Sequence, residues 1–185
     1  INGDLESVKL LVRMGADVNR GDSALGATPL IVASGNRHLE VVRFLVLSTA
    51  DINMADNNGC TPLLLASQNG HSDVVRFLVK SNADINKAGN DGCTPLIAAS
   101  QSGHLEVVRL LVKSNANINM VDNYGATPLY IASQNGHLEV VRLFVKSGAD
   151  INKADNDGTT ALYIASQNGH LQVVRLLVSS NTDIN

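Results

Sequence analysis

The chain has 185 residues, 44% of them apolar, 17% charged and 3% aromatic with no tryptophan, and its formal net charge is −3. That balance gives no electrostatic reason to expect nucleic acid or an anionic membrane as partner, and no apolar run approaches the ~20 residues needed to cross a bilayer. A core must come from Leu, Val, Ile and Ala, while two cysteines, Cys60 and Cys93, make no disulfide framework and suit a reducing, intracellular and cytoplasmic setting.

Taken in chain order, residues 1–22 contain "NGDLESVKLLVRMGADVN", which matches only the second half of a 33-residue unit. Five units then run over residues 23–55, 56–88, 89–121, 122–154 and 155–185. "TPL" or its variant begins at Thr28, Thr61, Thr94, Thr127 and Thr160, a fixed step of 33 residues. A turn ends at His38, His71, His104, His137 and His170, and "DIN" or a near form starts at Asp51, Asp84, Asn117, Asp150 and Asp183. The first junction is one residue longer than the rest, since Asn19 to Thr28 is 9 steps and Asn53 to Thr61 is 8.

Each unit predicts two helices. In the fourth, Thr127 is an N-cap and Pro128 occupies the first helical position, where its missing N–H costs nothing. Leu129, Ile131 and Ala132 face a neighbour, and "QNG" (Gln134 to Gly136) breaks the helix. A second helix runs from about Leu138 to Ser147 with Val140, Val141, Leu143, Phe144 and Val145 on a broad apolar face. A left-handed C-cap is expected at Gly148, and correspondingly at Gly15, Thr49, Asn82, Asn115 and Asn181. Two short helices cannot close a core alone, so each unit must bury its faces against the next.

The period, with "TPL…A…GH…VV..L(L/F)V..(G/N)ADIN" and "D-x-x-G-x-TPL", resembles the ankyrin repeat over essentially the whole chain. The resemblance implies an all-α solenoid of stacked helix pairs in an L-shape, with a short β-hairpin projecting at each junction through stretches such as Asp51 to Thr61. Two departures stand out. The family's usual His after "TPL" is Ile31, Leu64, Ile97, Tyr130 and Tyr163, and the second Ala of its Ala pair is Ser34, Ser67, Ser100, Ser133 and Ser166. The serines are expected to supply part of the polar link that the first change removes. The resemblance also makes Asn53, Asn86 and Asn152 possible substrates for asparagine hydroxylation.

Repetition argues against chemistry. Histidines spaced one per unit, about 8–10 Å apart in a helix stack, cannot share a metal ion. Each is expected to cap its inter-helix turn through nearby backbone. Ser133 and His137 could suggest a nucleophile and base, yet the pair recurs in every unit without a distinct orienting acid. No catalytic residue, cofactor or metal is expected. Cys60 and Cys93 share a column in adjacent units and should remain free thiols, their Cα atoms beyond the ~7 Å bridging limit. Arg43, Arg76, Arg109 and Arg142 follow Glu40, Asp73, Glu106 and Glu139 by three residues, with Arg175 continuing the column, so the ridge should neutralise itself.

Function is then expected where units differ. The variable columns are the hairpin tips Leu25, Asn58, Asp91, Tyr124 and Asp157, the residue before "TP", the residue after "TPL", and the unit edge at Met54, Lys87, Met120 and Lys153. Ala126, Tyr130 and Gln134 share a helix face, as do Thr159, Tyr163 and Gln167. The resemblance places this face and the tips along the concave groove where partners dock. All three tyrosines, Tyr124, Tyr130 and Tyr163, fall there, and Tyr is a common interface anchor. The competing reading is that Tyr130 and Tyr163 fill the packing slot of the missing His.

The chain opens on a lone second helix and ends with Val174, Leu176 and Leu177 still apolar, so a segment of a longer array is expected, monomeric as a fragment. The leading expectation is a non-enzymatic scaffold holding a partner protein. Alternatives are a regulatory or targeting segment of a larger enzyme, channel or ligase subunit, and a mechanical spacer.

Overall fold

The computed structural model describes residues 4–182, with side chains to 180; the closing Asp183 lies outside this range. Two rows of helices run through it. The short row is α2 (Pro29–Gly35), α4 (Pro62–Gln68), α6 (Pro95–Gln101), α8 (Pro128–Gln134) and α10 (Ala161–Gln167). The longer row is α1 (Leu5–Arg13), α3 (Leu39–Leu47), α5 (Ser72–Lys80), α7 (Leu105–Lys113), α9 (Leu138–Lys146) and α11 (Leu171–Thr182). From α2 on, every helix packs on its unit partner and on the same row of the adjacent units, the short row more closely, while α1 packs on α3. This is the expected stack.

The local causes are those the sequence offers. Thr28, Thr61, Thr94, Thr127 and Thr160 each accept a hydrogen bond on Oγ1 from the N–H three residues on, at 3.1–3.4 Å. Pro follows four of them; Ala161 replaces it in the last unit. The long helices end in a residue of positive φ at Gly15, Thr49, Asn82, Asn115 and Gly148, as expected. The expectation fails at Asn181, where α11 continues to Thr182.

One core threads all units. Leu30, Leu63, Leu96 and Leu129 occupy equivalent positions in the short row and are at most 1% exposed. Val42, Val75, Val108 and Val141 do the same in the long row. Small Ala33, Ala66, Ala99 and Ala132 let the short helices approach closely.

Four histidine rings staple the units, but not as the sequence suggested. The Nε2–H of His71, His104, His137 and His170 donates to the carbonyl of Gly35, Gln68, Gln101 and Gln134, in the preceding unit, at 2.9–3.1 Å. None of the first three caps its own helix through its side chain. A glycine lies beneath three of these rings: a Cβ on Gly70, Gly103 or Gly136 would stand 2.6 Å from Nδ1 of the next unit's histidine. Arg37 takes the glycine's place in the first complete unit at φ 60°, and its guanidinium meets both carboxylate oxygens of Asp73 at 3.3 Å.

The projecting loops are not β-hairpins: no strand forms among the described residues. A five-residue turn closed by a single backbone pair, such as Asp56 N–H to the Cys60 carbonyl, is too short for a ladder. The extra residue of the first junction is absorbed between Asp22 and Ala27, where the Asp22 carboxylate gathers the N–H groups of Ala24, Leu25 and Gly26.

The serine column supplies no inter-unit link. Ser100 and Ser166 bond back to the carbonyl four residues earlier, and the hydroxyls of Ser34, Ser67 and Ser133 are buried without a partner. A buried hydroxyl without a partner costs about 1–3 kcal/mol. Ser67→Ala should therefore raise stability by about 1 kcal/mol in a urea titration. Gly148 and Gly103 share a left-handed backbone, but only Gly103 lies under a ring. Gly148→Ala should cost about 1–2 kcal/mol and Gly103→Ala clearly more, read as the difference in denaturation midpoints.

Candidate functional site

The variable columns meet along one edge. At three junctions after the first an Asp at the turn's start closes it by accepting backbone N–H groups: Asp56 from Asn58 and Cys60, Asp122 from Tyr124 and Ala126, Asp155 from Asp157 and Thr159; where Gly89 holds that place, the tip Asp91 accepts the Cys93 N–H. The turn lifts Leu25, Asn58, Asp91, Tyr124 and Asp157 into solvent, and all five are exposed. Four of the tip carbonyls also join units. Those of Leu25, Asn58, Asp91 and Tyr124 accept the N–H of Asn57, Asn90, Asn123 and Asn156 at 2.8–3.0 Å.

The amide side chains of Asn90, Asn123 and Asn156 extend this ladder to the carbonyls of Asn57, Asn90 and Asn123. Sequence reasoning did not single these asparagines out, although their 33-residue spacing was the signal. A parallel ladder runs through Asn19, Asn53, Asn86 and Asn119, whose Oδ1 atoms accept from Asp51, Asp84, Asn117 and Asp150 at 2.8–3.0 Å. Lys87 and Lys153 reach back to the Asn53 and Asn119 carbonyls, which gives the variable unit edge a structural use.

Between the second and third complete units, tips and helix face enclose a cleft of about 390 Å³. It is lined by Asn58, Cys60, Leu64, Gln68, Asn90, Asp91, Cys93, Ala98 and Gln101. Asn58 and Asp91 thus meet the counterparts of Gln134 and Gln167. Gln134 is half-buried and Gln167 exposed at the far end of the same face.

The tyrosines divide. Tyr130 is 8% exposed, packs with Ala126, Ile131 and Ile164, and its hydroxyl lies 3.2 Å from Thr159 Oγ1. Thr159 in turn donates to Asp155 at 2.6 Å, a bond that, with further backbone donors, holds that carboxyl below its usual range against the effect of burial. Tyr130 therefore fills a packing slot, whereas Tyr124 and Tyr163 are 75% and 56% exposed.

Charge is segregated. Among the described residues the loops that join successive units carry Asp17, Asp22, Asp51, Asp56, Asp84, Asp91, Asp122, Asp150, Asp155 and Asp157 against Arg20, Lys87 and Lys153, with Arg37 in the inter-helix turn at the other end of its unit. The long helices from α3 onward carry Arg43, Arg76, Lys80, Arg109, Lys113, Arg142, Lys146 and Arg175 against Glu40, Asp73, Glu106 and Glu139. The ridge pairs as expected at Arg43–Glu40, Arg109–Glu106 and Arg142–Glu139. In the remaining unit it does not: Asp73 turns to Arg37 and Arg76 reaches Glu106 of the following unit at 3.5 Å. Arg37, held out by its left-handed backbone, supplies the closer partner for Asp73.

The Ser133 hydroxyl is buried and the His137 Nε2 is committed to Gln101, so these two groups do not meet as nucleophile and base. Among the described residues no group of three or more His, Cys, Asp or Glu is placed to hold a metal, and no helix is long and apolar enough to cross a membrane.

A family model described as "Ankyrin repeats (3 copies)" matches residues 1–89, 86–155 and 117–185. The chain belongs to the ankyrin repeat family. It is also similar to protein phosphatase 1 regulatory subunit 27 of Homo sapiens and of Mus musculus, 39% identical over 59 residues in each case. That match covers 32% of this chain and 38% of each relative, so the chain spans under two fifths of the length of the curated relatives it matches.

Both cysteines are free thiols, as the column argument required. Burial, reinforced by Asp91 and Asp122, pushes the Cys93 thiol up to about 12, and burial with Asp56 and Asp91 raises Cys60. Since only the thiolate attacks, iodoacetamide at pH 8 should modify Cys93 of the native chain at least about a hundredfold more slowly than in urea, where a thiol near pKa 8.5 is restored. The native rate should keep climbing from pH 8 towards 11, as followed by mass spectrometry.

Proposed function

We propose that this chain is a non-enzymatic protein–protein interaction scaffold that holds a partner protein along its groove and loop tips, acting as a monomer. The observation that carries the reading is the division of labour among residues. Those that repeat are spent on stacking and stapling; of those that vary, Ile31, Leu64, Ile97 and Tyr130 are buried, while the turn tips, Tyr124 among them, and Tyr163 are exposed along one edge. A surface fixed by two inter-unit ladders loses little conformational freedom when a partner docks, which favours affinity. Exposed tyrosines suit such a contact because the ring covers a large area with few torsions to immobilise.

The names of the two relatives favour a second, compatible reading. A chain similar to part of a phosphatase regulatory subunit could itself serve as a regulatory segment, with catalysis carried by a separate polypeptide.

The test uses the intact chain as immobilised bait, followed by pairwise affinity measurement with each captured protein. In Tyr124→Ala/Tyr163→Ala, affinity should fall tenfold or more, on the order of the ~2 kcal/mol expected of an interface anchor. The thermal midpoint should move by no more than ~2 °C, since surface changes stay within about 0.5 kcal/mol. Unchanged affinity in a folded double variant would remove the tyrosine-centred groove.

A further inference from the structure

The cleft between the second and third complete units has a chemistry of its own. Its one charged group is the Asp91 carboxylate, whose Oδ1 already accepts the Cys93 N–H and whose second oxygen is open, and around it stand the side-chain amides of Asn58, Gln68, Asn90 and Gln101, each able to accept as well as donate. The amides of Asn58, Gln68 and Gln101 make no hydrogen bond among the described residues, so their oxygens are available. No lysine or arginine lines the cleft. Leu64 and Ala98 supply an apolar wall. The cleft also opens on the acidic edge of the molecule, away from the basic ridge of the long helices.

The only charge in the lining is negative and its amide oxygens can accept, so an occupant with a positive charge, several N–H donors and an aliphatic stem complements it. A guanidinium offers five donors in a planar fork, and its methylene stem can lie along the apolar wall. We propose that this cleft is the specificity pocket of the groove and takes an arginine side chain from an extended basic segment of the partner protein. The inference rests on the scaffold reading above and adds to it the chemical class of the partner. Asp91 forms the charge-assisted bond, and the three amides satisfy the remaining donors. The edge aspartates steer the basic segment towards the groove, an effect that fades with salt.

The probe is a fluorescein-labelled nonapeptide of alternating Arg, Gly and Ser, with a Glu-for-Arg counterpart and free spermine as controls. Asp56→Asn and Asp91→Asn remove charge while leaving an oxygen for the turn N–H groups that each carboxylate now accepts. The arginine peptide should bind, the glutamate peptide should not, and Asp91→Asn should weaken binding about tenfold, the worth of one charge-assisted hydrogen bond. Amide shifts in an ¹⁵N spectrum should centre on Asn58, Gln68, Asp91 and Gln101.

Three results would each overturn the proposal: equal binding of the glutamate peptide, wild-type affinity in Asp91→Asn, or shifts spread evenly over all loops. Displacement by spermine at equal charge concentration would overturn it as well, because it would mean mere attraction to an acidic surface. If the arginine peptide fails while Tyr124→Ala/Tyr163→Ala still loses a captured protein, the scaffold reading survives and only the arginine pocket falls.

Discussion

The structure depends on one constraint: a helix pair of this size has no interior. A seven-residue helix and a nine-residue helix can each turn an apolar stripe inward, but two such stripes leave most of their area facing water. The shortfall is met by the units before and after. Leu63, for example, reaches 1% exposure only because α2 and α6 stand on either side of α4. Full burial of such a side chain is worth about 1.5–3 kcal/mol, and the share that the partner helix α5 cannot supply comes from the neighbouring units. Stability is therefore a property of the row rather than of any tile in it.

Polar contacts decide how the row is spaced. Apolar faces alone would tolerate sliding, since dispersion and hydrophobic burial carry little directional information. The histidine-to-carbonyl bonds and the two asparagine ladders are directional, and among the described residues each recurs at successive junctions. They fix rise and rotation between units together. The glycine beneath the rings of His104, His137 and His170 belongs to the same device, because a Cβ there would stand 2.6 Å from the ring and something must shift to admit it. The first complete unit shows the tolerance of the scheme. Arg37 replaces glycine and accepts a strained backbone, yet gains a two-oxygen contact with Asp73 of the neighbouring unit.

A scaffold so heavily committed to stacking leaves few side chains for recognition, and those are not scattered. They lie chiefly on the turn tips, which no neighbour covers, and on the parts of the adjoining helix face left open, such as Tyr163. Charge sorts itself along the same geometry. Turn-forming aspartates accumulate on the loop edge, where carboxylates are needed to gather backbone N–H groups. Arginine and lysine accumulate on the long helices, where they can pair at three-residue spacing. The resulting asymmetry of potential arises from folding requirements, and it gives a docking partner a sense of direction.

The sequence by itself determined the period, the two helices per unit with their caps, the family, the free thiols and the columns open to variation. All of these depend on neighbours within about ten residues or on the strict 33-residue repeat. It did not reveal where the histidine bonds go, that the loops form turns without strands, that Asp73 deserts Arg76 for Arg37, or that Tyr130 is buried while Tyr163 is not. Most of these are settled between residues some thirty positions apart. Tyr130 and Tyr163 have the same local sequence, "LYIASQNGHL", and the same place in their helices. They differ because α10, bringing Ile164 and the nearby Thr159, lies over Tyr130, and no such helix is described over Tyr163. Burial is conferred by the next unit, so only the assembled stack could decide it.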